Sequence, residues 1–525
     1  MAQQERTDGN AVDWFITRHV RHGDGARLAF RDPWRSLTYA GLSDAAGRFG
    51  SALRRAGIGR ERRIALLLLD TVDFPIAFWG ALHAGIVPVP INTLLTAEMV
   101  AYILTDSRAE AVVVSAPLLD GLRHVLRDAD GLRRIVVSQP DGSASTAGDD
   151  PRLATFPALL DDGDPAAPAV PASGDEVAFW LYSSGSTGAP KGVRHVHASL
   201  RHTAETYGAG VLGIGPDDVM FSAAKAFHAY GLGNSLTFPM AVGASAVLLP
   251  DRPTPDAVLD VMEQHSPTLF GGVPTLYASL LANPRIRPGA GSSRLRRCIS
   301  AGEALPADIG RRWSGMVGVD ILDGIGSTEM LHIFISNRPD DIRYGTSGKP
   351  VPGYEARVLD EHGHPVPNGE AGELVIRGDS AADGYWNQRE KTRRTFRGEW
   401  TYTGDTYIRD AEGYYRYCGR SDEMLKVSGV WVSPFEVEEA LISHAAVLEA
   451  AVVGKQDKDG LTKPKAFVIL QEAARREDPQ AVTGALQAHV KEKIGVWKYP
   501  RWIEFTDSLP KTATGKIQRF RLRET

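Results

Sequence analysis

Short runs of apolar, largely β-branched residues alternate with helical stretches from about residue 60 onward. RRIALLLL at 62–69 is typical of a buried strand, TVDFPIAFWGALHAG at 71–85 of a helix, and IVPVPI at 86–91 of the next strand. AEAVVVS at 109–115 and RRIVVS at 133–138 continue the pattern. Strands that are apolar throughout and separated by helices belong to parallel sheets covered on both faces. The sequence therefore predicts a large α/β body with parallel sheets.

The pattern changes near Asp422. MLKVSGVWVS at 424–433 predicts a hairpin of two short strands, and PFEVEEALISHA at 434–445 predicts a helix. The rest of the chain mixes short strands with one more helix. We therefore expect an N-terminal domain over residues 1–421, made of several subdomains, and a small α+β domain over residues 422–525.

Length, charge and cysteine content limit the class of protein. The chain has 525 residues, of which 43% are hydrophobic and 23% are charged, and its formal net charge is -5. We expect more than one core, and no nucleic-acid or membrane partner, because no basic cluster or bilayer-length apolar run occurs. The two cysteines, Cys298 and Cys418, lack metal-ligand spacing and favour a reducing compartment. We expect a cytoplasmic protein, with monomer and homodimer both left open.

A stretch rich in glycine and hydroxyl groups, YSSGSTGAPKG at 182–192, directly follows the apolar strand VAFWLY at 177–182. Consecutive backbone N–H groups in a glycine-rich turn, together with hydroxyls and a lysine, suit a polyphosphate. The spacing is not that of a Walker A loop, so a solvated turn stays an alternative. The predicted phosphate contacts are Ser183, Ser184, Gly185, Ser186, Thr187, Gly188 and Lys191.

Three further segments carry side chains that suit a nucleotide. DGIGSTEM at 323–330 places a threonine beside a carboxylate, which suits a phosphate and its Mg²⁺. A helix N-cap followed by an acid is an equally good interpretation of that segment. TYTGDTYIRD at 401–410 places Asp405 in a turn, where it could bind ribose hydroxyls. PKTATGKIQR at 510–519 places Lys516 in a polar loop; neither of these two is specific alone.

Together, the four segments resemble the adenylate-forming superfamily of acyl-CoA synthetases, luciferases and peptide-synthetase adenylation domains. YSSGSTGAPKG, DGIGSTE, YTGD with GRSDEMLK, and PKTATGKIQR occur in the family's order over nearly the whole chain. The resemblance implies an enzyme that uses ATP and Mg²⁺ to form an acyl-adenylate. It also implies a hinge near Asp422 and a mobile C-terminal domain that carries the catalytic lysine.

The resemblance assigns the phosphate chemistry to four places. The loop at 183–191 would handle pyrophosphate, and Thr328 would contact the α-phosphate. Glu329 would bind Mg²⁺. Lys516 would bridge the substrate carboxylate and the α-phosphate, and a lysine acetyltransferase acting on it would switch the enzyme off.

The resemblance also assigns the nucleoside contacts. Asp405 would bind the ribose hydroxyls, with Arg420 beside it. The remaining ATP and AMP candidates are Gly302, Glu303, Asp323, Gly324 and Ile325. Gly302 and Glu303 resemble the segment that lies against adenine. Ile325 replaces an aromatic residue frequent in the family, so adenine would be held by apolar packing without stacking.

A narrower resemblance is to the benzoate-CoA ligase branch. It lies in AKAFHAYGLGNSLTFP at 224–239, STEMLHIFISN at 327–337 and VSGVWVSPFEVE at 427–438. The resemblance implies an aryl carboxylic acid between the first two segments, with His228, Ala229, Tyr230, Gly231, Leu331, His332 and Ile333 as the pocket candidates. Phenylalanine is common at the position of His228, where an imidazole would bind a ring hydroxyl or replace one aromatic wall with another.

The expected function is therefore an aryl acid-CoA ligase for benzoate or a hydroxybenzoate. After adenylate formation the C-terminal domain would turn about Asp422, and CoA would attack the adenylate. The strand then presented to CoA contains Lys426, Ser428 and Gly429. Two alternatives stay open: an adenylating enzyme that loads a carrier-protein pantetheine, and a non-catalytic nucleotide-binding protein of this fold.

Overall fold

The structure is a computed structural model, and it describes residues 9–139, 141–142, 150–185, 188–421, 423–427, 430–458, 461–511 and 517–523. Within these residues the strands form six sheets. Two of the sheets are largely or wholly parallel and covered by helices, as the apolar runs predict. The α/β architecture expected from the sequence is therefore confirmed.

The apolar runs between residues 60 and 140 form four strands of a five-stranded parallel sheet. The elements as far as residue 196 are β1 (Leu28–Arg31), β2 (Ser36–Thr38), β3 (Arg63–Leu67), β4 (Val87–Pro90), β5 (Ala109–Ser115), β6 (Arg134–Ser138), β7 (Leu153–Thr155), β8 (Val177–Gly185) and β9 (Gly188–Val196), with α1 (Arg18–Arg21), α2 (Tyr39–Arg55), α3 (Asp73–His83), α4 (Ala97–Ser107), α5 (Ala116–Arg127) and α6 (Phe156–Asp161). The strand order is β4-β3-β5-β6-β7. Residues 150–175 contain one edge strand of this sheet, β7, and the short helix α6.

The second large sheet has nine strands. Its further elements are β10 (Val219–Ser222), β11 (Ser245–Val247), β12 (Leu269–Gly272), β13 (Arg297–Ser300), β14 (Ile321–Gly326), β15 (Ile333–Ser336) and β16 (Lys349–Pro350), with the helices α7 (His197–Thr203), α8 (Ala229–Leu232), α9 (Phe238–Val242), α10 (Pro255–His265), α11 (Pro274–Ala282) and α12 (Ala307–Val317). The order is β16-β15-β14-β13-β12-β10-β11-β1-β2, parallel from β14 to β1 and antiparallel at both edges.

The segment DGIGSTEM is a strand followed by a turn. Its first residues end β14, which pairs antiparallel with β15. The helix N-cap interpretation of this segment is therefore wrong. Because β14 is the last parallel strand of the nine-stranded sheet, the turn after it lies at the carboxyl end of that strand, where open α/β sheets bind ligands.

An antiparallel sheet that the sequence did not predict follows the second parallel sheet. Its region contains β17 (Glu355–Leu359), β18 (Ala371–Arg377), β19 (Gly384–Tyr385), β20 (Phe396–Arg397), β21 (Trp400–Arg409), β22 (Tyr415–Arg420) and α13 (Arg389–Thr395). Strands β17, β18, β21 and β20 follow in that order, and β22 also pairs with β21. β19 instead joins the β8–β9 hairpin. Asp405 lies inside β21, so its placement in a turn was wrong.

The C-terminal residues form their own small sheets. They contain β23 (Leu425–Val427), β24 (Val430–Val432), β25 (Val447–Gln456), β26 (Thr462–Leu470) and β27 (Trp502–Phe505), with α14 (Pro434–Ile442), α15 (Pro479–Ile494) and α16 (Arg519–Arg523). The predicted hairpin and helix of this region are confirmed. Apolar side chains of α14, α15, β25 and β26 share a core separate from those of the body. Residue 422 lies outside the described residues, so the boundary there stays a prediction.

No helix in the described ranges is both long enough and apolar enough to cross a membrane.

Helices α2 and α3 approach each other closely at a glycine pair. A Cβ built on Gly50 would lie 2.5 Å from the carbonyl oxygen of Gly80, a backbone atom that cannot move away cheaply. We expect Gly50→Ala to destabilise the protein by about 2 kcal/mol through overpacking, measured by urea unfolding. The matched control is Gly121→Ala in α5, where a Cβ meets nothing within 4 Å. Equal stability of the two variants would contradict this packing.

Candidate active site

The glycine- and hydroxyl-rich stretch forms the end of the β8–β9 hairpin. Ser183 faces Lys191 across the two strands, and Gly185 faces Gly188. The Oγ of Ser183 is buried and makes no hydrogen bond within the described part of the chain. A buried hydroxyl that lacks a partner beside a lysine suits a ligand oxygen. Ser186 and Thr187 lie outside the described residues, and only the backbone of Ser184, Gly185 and Gly188 is described.

Lys191, Tyr385 and Glu329 form one contact cluster. The Nζ atom of Lys191 lies 3.1 Å from Oε1 of Glu329 and donates to the Tyr385 hydroxyl at 2.9 Å. That hydroxyl donates in turn to Oε1 of Glu329 at 2.8 Å. Tyr385 reaches this place because β19 pairs with β9, two residues beyond Lys191 along that strand. The sequence did not indicate Tyr385, which is 194 positions away from Lys191.

The cluster keeps Glu329 ionised. Burial alone would raise the pKa of this carboxyl, but the positive charge of Lys191 and the hydroxyl of Tyr385 outweigh burial and lower the pKa below its ordinary value. An ionised carboxylate is an oxygen ligand of the kind Mg²⁺ prefers. No group of three or more His, Cys, Asp or Glu side chains suited to a metal occurs among the described residues. Glu329 therefore fits a Mg²⁺ ion that takes its other ligands from phosphates and water.

His195 holds the neighbouring residue. Its Nε2 hydrogen-bonds the carbonyl oxygen of Thr328 at 2.8 Å, and its ring stacks on Phe179 with 5.1 Å between centroids. Burial lowers the pKa of His195 to about 4, so the ring is neutral at physiological pH and Nε2–H is the donor. His195 lies four residues after Lys191 on β9, and alternate residues of a strand share a face. Strand β9 thus contacts Thr328 through His195 and Glu329 through Lys191.

The two predicted ribose residues lie opposite each other. Asp405 in β21 pairs with Arg420 in β22, and Nη1 of Arg420 lies 3.0 Å from Oδ1 of Asp405. Gly404 has a φ of +71°, and a Cβ there would lie 2.7 Å from Nη2 of Arg420. The positive φ favours glycine, and a side chain at this position would also displace the end of the Arg420 side chain. The structure therefore brings Asp405 and Arg420 together, with the Arg420 side chain next to Gly404 of β21.

The adenine candidates lie at two strand ends. Gly302 follows β13 with a φ of +93°, and Oε1 of Glu303 accepts a hydrogen bond from the backbone N–H of Ile517 at 3.3 Å. Ile325 in β14 is half-buried beside Gly324. The carboxyl of Asp323, another ATP candidate, is buried, and burial raises its pKa well above the ordinary value.

The two predicted aryl-acid segments meet. Nε2 of His332 hydrogen-bonds the carbonyl oxygen of Tyr230 at 3.2 Å, and burial lowers the pKa of His332 to about 3. The Tyr230 hydroxyl donates to the carbonyl oxygens of Gly272 and Ile299 at 3.1 and 3.0 Å. The Tyr230 hydroxyl and Nε2 of His332 are thus engaged by the framework, whereas Nδ1 of His332 is buried and makes no hydrogen bond within the described residues.

The other aryl-acid candidates are half-buried or buried, and the backbone packs closely around them. His228 and Ala229 are half-buried at the start of α8, and the His228 ring packs edge-on against Phe227 with centroids 4.6 Å apart. A Cβ on Gly231 would lie 2.0 Å from the Lys225 carbonyl oxygen, so only glycine fits. In the facing segment, Leu331 has a φ of +66°. Leu331 and Ile333 are both buried.

Asp70 supports the first aryl-acid segment and was missed by the sequence reading. Both its carboxylate oxygens accept from the backbone N–H of Ala226, at 3.2 and 3.3 Å. Burial raises the pKa of Asp70 to about 6, while the nearby charge of Lys225 opposes the shift. The only signal in the sequence was a carboxylate that directly follows a buried strand.

The CoA-side candidates are described only in part. Lys426 lies in β23 and pairs with Trp431 in β24, and its backbone alone is described. The remaining candidates, Asp422, Ser428, Gly429 and Lys516, lie outside the described residues.

The comparisons with known proteins show the family. The AMP-binding enzyme family matches residues 17–386, and the AMP-binding enzyme C-terminal domain matches residues 436–516. The chain therefore belongs to the AMP-binding enzyme family, and the resemblance found in the four segments is confirmed.

The similar proteins cover nearly the whole chain. It is 55% identical over 516 residues to a benzoate–CoA ligase of Thauera aromatica, with 98% of this chain and 95% of the relative covered. It is 53% identical over 518 residues to a 4-hydroxybenzoate–CoA/benzoate–CoA ligase of Rhodopseudomonas palustris, with 98% and 94% covered. A crystal structure of a benzoate CoA ligase from Burkholderia xenovorans LB400 matches with a TM-score of 0.89 and 50% identity, covering 98% of this chain and 99% of that one.

We expect His195→Gln to change how stability depends on pH. The folded-state pKa of His195, about 4, lies below the ordinary value of 6.5, so the unfolded chain takes up the proton first. Stability that depends on the neutral ring is then lost as the pH falls from 6.5 towards 4. Glutamine supplies an amide donor that does not titrate. Between pH 7 and pH 5 the wild type should lose about 2 kcal/mol more than the variant, measured by urea unfolding. Parallel losses would contradict the buried neutral ring.

Proposed function

We propose that this chain is an ATP-dependent aryl acid-CoA ligase that acts through an acyl-adenylate and releases AMP and pyrophosphate. The observation that carries the proposal is the cluster of Lys191, Tyr385 and Glu329 beside Thr328, which joins a phosphate-binding lysine to an ionised carboxylate. Relatives named as benzoate and 4-hydroxybenzoate ligases support an aryl acid as the substrate.

In the first step the aryl carboxylate attacks the α-phosphorus of ATP. A new O–P bond forms, and the bond to the bridging oxygen breaks as pyrophosphate leaves. Lys191 and the N–H groups of its hairpin neutralise the departing phosphates, while Thr328 contacts the α-phosphate. Lys516 bridges the carboxylate and the α-phosphate. Bound Mg²⁺ would be held by Glu329 and phosphate oxygens, and would supply further charge neutralisation.

In the second step the C-terminal residues turn about Asp422 and withdraw Lys516. The strand that contains Lys426, Ser428 and Gly429 then faces the adenylate. The sulfur of CoA attacks the carbonyl carbon, the bond to the phosphate oxygen breaks, and AMP leaves. This assignment of an N-terminal body and a C-terminal domain at residue 422 is supported by the separate core of the C-terminal sheets.

The acid most consistent with the site is benzoate or a hydroxybenzoate. The segments at 224–239 and 327–337 meet where Nε2 of His332 hydrogen-bonds the carbonyl oxygen of Tyr230. The side chains most able to meet a ring substituent are then His228 and His332, whose buried Nδ1 makes no hydrogen bond within the described residues.

The two cysteines of the chain are buried and unpaired. They support the reducing cytoplasm as the location of the protein.

The direct test is pyrophosphate release with ATP, Mg²⁺ and a panel of benzoate, the three hydroxybenzoates, aminobenzoates and short fatty acids, each with and without CoA. We expect sustained release only when an aryl acid and CoA are both present. A preference for a hydroxybenzoate that His228→Phe abolishes would assign ring recognition to His228. Release that stops after about one turnover even with CoA would contradict the ligase.

Tyr385→Phe tests the cluster at the phosphate site. The variant removes the hydroxyl that Lys191 and Glu329 share, which is a charge-assisted contact. We therefore expect benzoate-dependent pyrophosphate release to fall about tenfold and to require more Mg²⁺ for half-maximal rate. The matched control is Tyr415→Phe, which removes a buried hydroxyl bonded to the Ala356 carbonyl oxygen at 3.0 Å, away from the site. The same loss in both variants would contradict a specific role for Tyr385.

A further inference from the structure

Two carboxylates connect the C-terminal residues to the N-terminal body. One belongs to the body and the other to the C-terminal residues. Oε1 of Glu303, in the body, accepts from the backbone N–H of Ile517 at 3.3 Å. Oε1 of Glu439, on α14, accepts from the backbone N–H of Ala307 at 3.2 Å. Each carboxylate thus holds a backbone amide of the other part, and Glu303 and Ala307 are only four positions apart.

The second contact caps a helix. α12 begins at Ala307, and its N-cap residue Pro306 makes no side-chain capping bond. The first N–H groups of a helix lack partners within it, and a negative charge at that end is favourable. Glu439 supplies both the acceptor and the charge, but only in this relative orientation of α14 and the body.

The first contact holds the base of the loop that carries residue 516. Lys511 and Ile517 form an antiparallel bridge, and the N–H of Gln518 donates to the Pro510 carbonyl oxygen at 2.8 Å. The described residues on the two sides of 512–516 are therefore paired with each other. Glu303 holds Ile517, which directly follows Lys516 in the chain.

The two contacts are joined inside the C-terminal part. Arg519 forms a buried ion pair with Glu438, with Nη2 2.7 Å from Oε2. Glu438 is the neighbour of Glu439 on α14, and its Oε1 also accepts from the N–H of Val452 at 2.7 Å. The ion pair thus connects the chain segment that contains Ile517 with the helix that carries Glu439.

We propose that Glu439 and Glu303 are positioning residues that select the orientation in which Ile517, the neighbour of Lys516 in the chain, is held against the body at Glu303. The inference rests on the proposed two-step function. Because the contacts belong to one orientation, they favour the adenylate-forming step and must break before the thioester step. Glu439 is the cleaner of the two to test, because Glu303 also lies among the adenine candidates.

The test measures the two half-reactions of Glu439→Ala separately. Benzoyl-adenylate formation from ATP and benzoate should fall about tenfold, the scale of one hydrogen bond to a charged acceptor. Conversion of supplied benzoyl-adenylate and CoA to benzoyl-CoA should stay within about twofold of wild type. Glu439→Gln keeps an acceptor oxygen and should recover part of the first step. Equal losses in both steps, or no loss in the first, would overturn the proposal.

The matched control is Glu436→Ala on the same helix. Both carboxylate oxygens of Glu436 accept from Nζ of Lys498 at 2.7 Å, inside the C-terminal part. This variant should leave the ratio of the two half-reaction rates unchanged. A shift as large as that of Glu439→Ala would overturn the proposal, because it would assign the effect to α14 in general.

Hydrogen exchange tests the contact without relying on which acid the enzyme takes. In the wild type the Ala307 amide is bonded to Glu439, so a peptide covering residues 303–317 should exchange faster in Glu439→Ala than in Glu436→Ala. Equal exchange would overturn the contact. If the wild type forms no benzoyl-adenylate at all, the proposed function fails, and the exchange result still decides the contact.

Discussion

The hydroxyl of Tyr385 joins the two charges on which the candidate site depends. It accepts from Lys191 and donates to Glu329, so a lysine and a carboxylate share one partner in a largely buried place. Burying either charge alone would be costly, whereas the paired charges keep Glu329 ionised. The site therefore holds a negative oxygen ligand and a positive phosphate partner side by side before any nucleotide binds.

Strand β9 supplies this arrangement. It carries Lys191 at its start and His195 four residues later, and it pairs with β8 on one side and with β19, which holds Tyr385, on the other. Thr328 and Glu329 lie at the turn after β14, the last parallel strand of the larger sheet. The β8–β9 hairpin and the carboxyl end of the larger sheet are thereby fixed to each other at Thr328 and Glu329. A displacement of β9 would move both at once.

The sequence predicted what depends on neighbouring residues and missed what depends on pairing of distant strands. Apolar runs gave the parallel sheets because buried strands are continuous in sequence. Tyr385 and Asp70 were missed because their partners are 194 and 156 positions away. The helix N-cap alternative after Asp323 was wrong because pairing with β15 overrides local preference. Asp405 was placed in a turn because glycine precedes it, yet Gly404 there accommodates Arg420 from the next strand.

The measurement that tests the central claim most directly is a crystal structure with ATP, Mg²⁺ and benzoate, in the variant Lys516→Ala to slow the first step. The account predicts a metal ion bound to the Glu329 carboxylate, with the Tyr385 hydroxyl still bonded to that carboxylate and Lys191 moved onto phosphate oxygens. A metal ion held away from Glu329, or a nucleotide bound while Lys191 keeps its contact with Glu329, would contradict the account.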